Sequence, residues 1–148
     1  MKKSSFLLVV ALLLSLILLT SCKVKKTTKE EYVDLVYRYH VLMEKDNVCI
    51  DLRDLNTSYN NGHFKGFINY NYQKGNKDEF LIYMNSMYNK STYIFLIDEN
   101  GEYVNEASNI LLKNGFKNVI IYEFGYNDII GYAKEHLQIV TGIDDCGC

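Results

Sequence analysis

Proline is absent from the 148 residues, and no internal repeat or low-complexity tract divides the chain; neither absence points to a function. Basic side chains are not in excess. Sixteen Lys and Arg against eighteen Asp and Glu give a net charge of −2, which argues against a nucleic-acid partner, since such a partner needs a basic face. No apolar run reaches the roughly 20 residues of a comfortable membrane span. The longest covers residues 6–19 and is broken only by Ser15. Cysteine is sparse, at four, and neither a metal-ligating cluster nor a cofactor motif is apparent. What remains is a length suited to one domain.

The first apolar run is preceded by Lys2 and Lys3 and followed by Leu19-Thr20-Ser21-Cys22. A basic start, a short apolar stretch and small residues before a cysteine resemble the signal peptide and lipobox of bacterial lipoproteins. The resemblance implies cleavage after residue 21, lipid on the Cys22 sulfur, and a protein held on the extracytoplasmic face of a bacterial membrane. Two acyl chains anchor stably where one is marginal. Losing Lys2 and Lys3 makes the remaining chain more acidic still. Residues 22–30, with Lys23, Lys25, Lys26 and Lys29, read as a solvated tether near anionic headgroups.

Thr28 and Glu31 fit a capping box at a helix start. Tyr32, Leu35, Val36, Tyr39, Leu42 and Met43 then recur at helical spacing. Residues 48–50 form a short apolar run and 93–97 the most apolar one outside the N-terminus; both read as strands. A helix is expected over 77–88, with Phe80, Tyr83, Met84 and Met87 inward. Another is expected over 104–114, stopped by Gly115 in left-handed geometry. A strand over 119–122 and a helix over 128–137 complete the pattern. Strands alternating with helices predict an α/β fold with a mostly parallel sheet covered on both faces.

Residues 49–69 contain Asp51-Leu52-Arg53 after the first strand and Gly62-His63-Phe64-Lys65-Gly66 before the next apolar pair. This resembles the first half of a rhodanese-like domain, in which a strand ends in Asp-x-Arg and a Gly-His-x-x-Gly turn follows. By themselves Asp51 and Arg53 read as an ion pair, and His63 as a residue that ties a turn. Gly115-Phe116-Lys117-Asn118-Val119 is similar to the Gly-Phe-x-Asn-Val of the same family. The resemblance implies a rhodanese-like domain over 31–140, leaving 141–148 as a cysteine-containing tail.

In active members of that family, a cysteine opens a loop whose inward-pointing amides stabilise a persulfide or an oxyanion. The family's spacing places that cysteine at Asp98. The loop reads Asp98-Glu99-Asn100-Gly101-Glu102-Tyr103, and only Gly101 matches the usual Cys-Arg-x-Gly-x-Arg. A carboxylate carries no transferable sulfur. The expectation is therefore a domain inactive in sulfur transfer, with Asp98 imitating the anion, serving as a binding or regulatory module. Asp98, Glu99 and Glu102 together otherwise read as three solvated carboxylates near a helix start or as a weak cation site. Cys49 reads as a core residue. Cys146 and Cys148 supply the other reading, a thiol redox or sulfur carrier working from the tail.

Overall fold

The computed structural model describes residues 23–142. Five parallel strands form the main sheet, in the order β1-β6-β5-β2-β4: β1 (Lys25–Lys26), β2 (Asn47–Asp51), β4 (Ile68–Asn69), β5 (Tyr93–Ile97) and β6 (Asn118–Ile121). Two further short strands, β3 (His63–Phe64) and β7 (Ile139–Val140), pair antiparallel beside it. Four helices connect these: α1 (Lys29–Val36), α2 (Lys77–Met87), α3 (Val104–Lys113) and α4 (Gly125–Ala133).

The central position of β5 follows from its sequence. Side chains alternate across a strand, so Ile94 and Leu96 face one layer while Phe95 and Ile97 face the other, and none of the four touches solvent. One layer packs Ile94 and Leu96 with Val48, Ile50, Phe80, Met84, Ala107 and Leu111, under α2 and α3. The other packs Phe95 and Ile97 with Tyr32, Val36, Cys49, Ile129 and Ala133, under α1 and α4. A strand buried on both faces reads as a continuous apolar run, as 93–97 does.

Several boundaries differ from the sequence reading. Lys25 and Lys26, inside the expected tether, pair with Ile120 and Ile121, so the folded unit reaches back into that stretch. The Thr28 hydroxyl accepts from the Glu31 amide at 3.2 Å, but the Glu31 carboxylate turns to Lys25 at 2.8 Å. The first helix does not continue regularly to Met43. Over Tyr37–Val41 it widens into a π-type turn, with the Leu42 amide bonded back to the Tyr37 carbonyl at 2.9 Å. One extra residue in a turn rotates everything after it. Leu42 and Met43, expected inward, are consequently 53 % and 72 % exposed. Met87 is likewise outside the core. The last helix begins at Gly125, not residue 128, and ends at Ala133, although Leu137 remains buried beyond it.

These placements separate core from surface. Leu96→Ala should destabilise the domain by about 2–5 kcal/mol, whereas Leu42→Ala should stay within about 0.5 kcal/mol. Urea unfolding of the two variants beside the parent checks both.

Candidate functional site

In a parallel sheet the loops at the carboxyl ends of the strands gather at one end. Here β2 delivers Asp51 and Arg53 and β5 delivers residues 98–103. β6 delivers the turn at Glu123-Phe124-Gly125.

Asp51 and Arg53 are both buried. Arg53 donates from Nη2 to Asp51 Oδ2 at 2.7 Å and from Nε to Oδ1 at 2.9 Å, while its amide donates to Oδ1 at 3.0 Å. A further bond runs from Nη2 to the Gly62 carbonyl at 2.8 Å, and the guanidinium lies 3.6 Å from the centre of the Tyr126 ring. A buried pair repays its desolvation only when its remaining hydrogen-bonding positions are filled, and here a carbonyl and an aromatic face help fill them. Arg53 thereby ties β2, the Gly62 turn and α4 together.

His63 sits in β3, its Nδ1 3.1 Å from the Tyr59 carbonyl and its ring stacked on Tyr59 at 3.7 Å. The Tyr59 hydroxyl in turn donates to the Phe67 carbonyl at 2.5 Å. Gly66 adopts φ +81°, and a Cβ there would lie 2.2 Å from His40 Nε2. The Gly62-to-Gly66 segment thus braces the turn.

Asp98 ends the central strand and is 2 % exposed. Its Oδ1 accepts from the Gly101 amide at 2.5 Å; its Oδ2 accepts from the Tyr103 amide at 2.5 Å and the Val104 amide at 3.1 Å. The last two belong to the start of α3, where unpaired amides favour negative charge. The loop's amides therefore converge on a carboxylate from the same loop. Burial pushes the Asp98 carboxyl above the ordinary range, the three amide bonds pull the other way, and Asp51 adds to the upward push.

Glycine makes this loop possible. Gly101 has φ +86°, and a Cβ there would sit 1.7 Å from the Glu123 carbonyl oxygen. Gly125, at φ +77°, would press a Cβ to within 2.4 Å of the Glu99 oxygen and the Asn100 nitrogen. The two backbones thus meet with no room for a side chain. The Tyr126 amide donates to the Asp98 carbonyl at 2.7 Å, and the Asn127 amide to the Glu99 carbonyl at 3.2 Å.

A cleft of about 500 Å³ opens here, lined by Arg53, Asp54, Tyr72, Asp98, Glu99 and Tyr103 among others. Glu102 stands exposed beside it. Burial, then Glu106, raises the Tyr72 hydroxyl to about 12; Glu102, then burial, raises Tyr103. No motif in the sequence marks Tyr72, which lines the cleft, or Tyr126, whose ring faces the Arg53 guanidinium. Cys49 is buried in the core, where desolvation raises its thiol well above the ordinary value and so suppresses the reactive thiolate. Cys22, Cys146 and Cys148 lie outside the described residues. Among the described residues no group of three or more His, Cys, Asp and Glu is placed to hold a metal, and no helix is long and apolar enough to cross a membrane.

The Asp98 arrangement sets a pH dependence. The folded state holds this proton more tightly than the unfolded chain, so its contribution to stability is fully present below the ordinary carboxylate range. It is lost as pH rises through the raised pKa. Asp98→Asn should remove that component, so the stability difference between parent and variant should change over the pH range above about 4. Chemical unfolding at a series of pH values reads it; a constant difference contradicts the assignment.

The sequence matches the family model of the rhodanese-like domain over residues 36–131. No curated protein matches it. Among solved structures, a crystal structure of the Alr3790 protein from Anabaena sp. aligns with a TM-score of 0.60 at 20 % identity, covering 75 % of this chain and 91 % of that one. The solution structure of the rhodanese-like domain of the Alr3790 protein aligns at 0.56 and 20 % identity, covering 77 % and 80 %. An X-ray structure of that domain aligns at 0.52 and 23 %, covering 69 % and 97 %. At these identities the structural likeness speaks to fold alone. The family match spans well over half the chain and agrees with the order of strands and loops described above: this protein belongs to the rhodanese-like domain family.

Proposed function

We propose that this chain is a lipid-anchored, extracytoplasmic rhodanese-like domain that does not transfer sulfur and acts as a binding or regulatory module. One observation carries the reading: the Asp98 carboxylate accepts three amides of its own loop, at Gly101, Tyr103 and Val104. Asp98 stands where active relatives of the family place their cysteine. A thiolate carrying sulfane sulfur, or an oxyanion in transit, would need those same amides. The carboxylate holds them permanently and has no sulfur to give.

The charge around the loop supports the same conclusion. Asp98 and Glu99 stand in place of a cysteine and an arginine, with Glu102 beside them, so an approaching thiosulfate meets like charge. At about 4 Å near a surface such repulsion is on the order of a few kcal/mol before salt screening. The cleft beside Tyr72 and Tyr103 remains open to a ligand, and its carboxylates at Asp54, Asp98 and Glu99 outnumber the exposed Lys74 and weigh against an anion. The membrane contact is assigned to lipid on Cys22, from the residues on either side of it; a nucleic-acid partner and a cofactor are not part of the reading.

Two experiments test it. Sulfur transfer from thiosulfate to cyanide should stay at background, and Asp98→Cys alone should restore little. Adding Glu99→Arg and Tyr103→Arg should be required for turnover. Turnover by the unaltered protein that survives removal of residues 141–148 overturns the inactive reading; turnover lost with that tail assigns the chemistry to Cys146 and Cys148. For the anchor, Cys22→Ala should leave an unprocessed precursor with no lipid label, and normal processing and labelling of that variant would remove it.

A further inference from the structure

The two ends of the sheet differ in chemistry. The carboxyl ends of the strands carry the acidic mouth of Asp54, Asp98, Glu99 and Glu102. The amino ends of β2, β5 and β6 are entered by the segments before Asn47, Tyr93 and Asn118, and these are basic. Lys45, Lys113 and Lys117 are exposed there, with Lys90 half-buried beside them. Of the acids at this end, Glu44 pairs with Arg38 at 2.9 Å, while Asp46 accepts from the neutral Thr92 hydroxyl at 2.7 Å and keeps its charge. Lys90 lies over the Phe116 ring at 3.7 Å, and the exposed Lys45, Lys113 and Lys117 outnumber Asp46, so one end of a net acidic protein is basic.

Several exposed apolar side chains lie at this end as well, beside those exposed elsewhere at Phe124 and Ile82. Val41, Leu42 and Met43 are 52 %, 53 % and 72 % exposed, and Met87 at the end of α2 is 59 % exposed. Met43 holds its projecting turn at φ +56°, a conformation that a non-glycine residue rarely adopts. The chain also leaves at this end. Lys25 is level with Ile120 in a parallel pair, so Lys23 is level with the start of β6. Exposed apolar residues and lysines at one end match the boundary between acyl chains and anionic headgroups.

We infer that the amino-terminal end of the sheet, which carries Val41, Leu42, Met43 and Met87 together with Lys45, Lys90, Lys113 and Lys117, rests on an anionic lipid surface and holds the Asp98 cleft away from it. This rests on the anchored reading, and it adds an orientation. A tether alone leaves the domain free to tumble; a second contact fixes which end faces outward, toward a partner approaching from solution.

The absence of tryptophan from the sequence allows a direct test. Full-length lipidated protein carrying Leu42→Trp, or Met43→Trp as a second reporter, is reconstituted in vesicles of phosphatidylglycerol and phosphatidylcholine with brominated acyl chains. Phe124→Trp, exposed at the opposite end, serves as the reference. Quenching at the Leu42→Trp or Met43→Trp reporter should exceed that of the reference by at least about threefold. It should fall in pure phosphatidylcholine, in high salt, and on adding Lys45→Glu, Lys113→Glu and Lys117→Glu. Protein that floats with vesicles yet shows equal quenching at both ends overturns the orientation and leaves the anchor standing. Failure to float overturns both. A blue shift that grows with protein concentration in detergent without vesicles overturns the lipid assignment in favour of a second copy.

Discussion

Everything at the candidate site depends on where one carboxylate is held. β5 is the most buried strand of the sheet, and Asp98 follows it directly, so the carboxylate arrives at the opening of α3 with little freedom. Three amides close on it. Hydrogen bonds to a charged group contribute about 1.5–3 kcal/mol each, and leaving a buried donor unmet costs about 1–3 kcal/mol. That exchange favours keeping the carboxylate in place against the burial that raises its pKa. Gly101 and Gly125 then let the loop and the β6 turn touch backbone to backbone, so a change at either glycine disturbs the placement of Asp98 without touching it.

The Asp51–Arg53 pair performs a related task one strand away. It is internal to its segment and closed by Gly62 and Tyr126, so it links the first half of the chain to α4. The pair and the Asp98 loop approach the same cleft from two sides. One is charge-neutral and rigid, and the other is anionic and shielded by its own backbone. The cleft between them is thus lined by one committed cation, Arg53, and one exposed cation, Lys74, set against the carboxylates of Asp54, Asp98 and Glu99.

Much of this was legible in the sequence, for physical reasons. The run at 93–97 is apolar on both faces of a strand, which only a central position satisfies. The Thr28 cap and Gly115 stop are local chemistry, readable without the fold. Other features required tertiary information. The π-type turn at Tyr37–Val41 shifts the helical phase by one residue, and periodicity could not reveal it; Leu42 and Met43 were placed inward for that reason. Lys25 and Lys26 become a strand only because β6 offers an edge. The short β3–β7 pair joins segments nearly 80 residues apart, beyond the reach of local patterning. Tyr72 lines the cleft and Tyr126 faces Arg53 through their position in space, and no motif marks either.

The claim at the centre of this account is that Asp98 occupies the loop's amides in place of an anion. Amide resonances of Gly101, Tyr103 and Val104, followed while acetate or sulfate is added, test it most directly. In the unaltered protein these resonances should stay unmoved. In Asp98→Ala, whose loop amides lack their internal acceptor, they should shift saturably as the added anion takes the vacated position. Saturable shifts of the same amides in the unaltered protein would show that the loop still binds anions from solution, and would contradict the account.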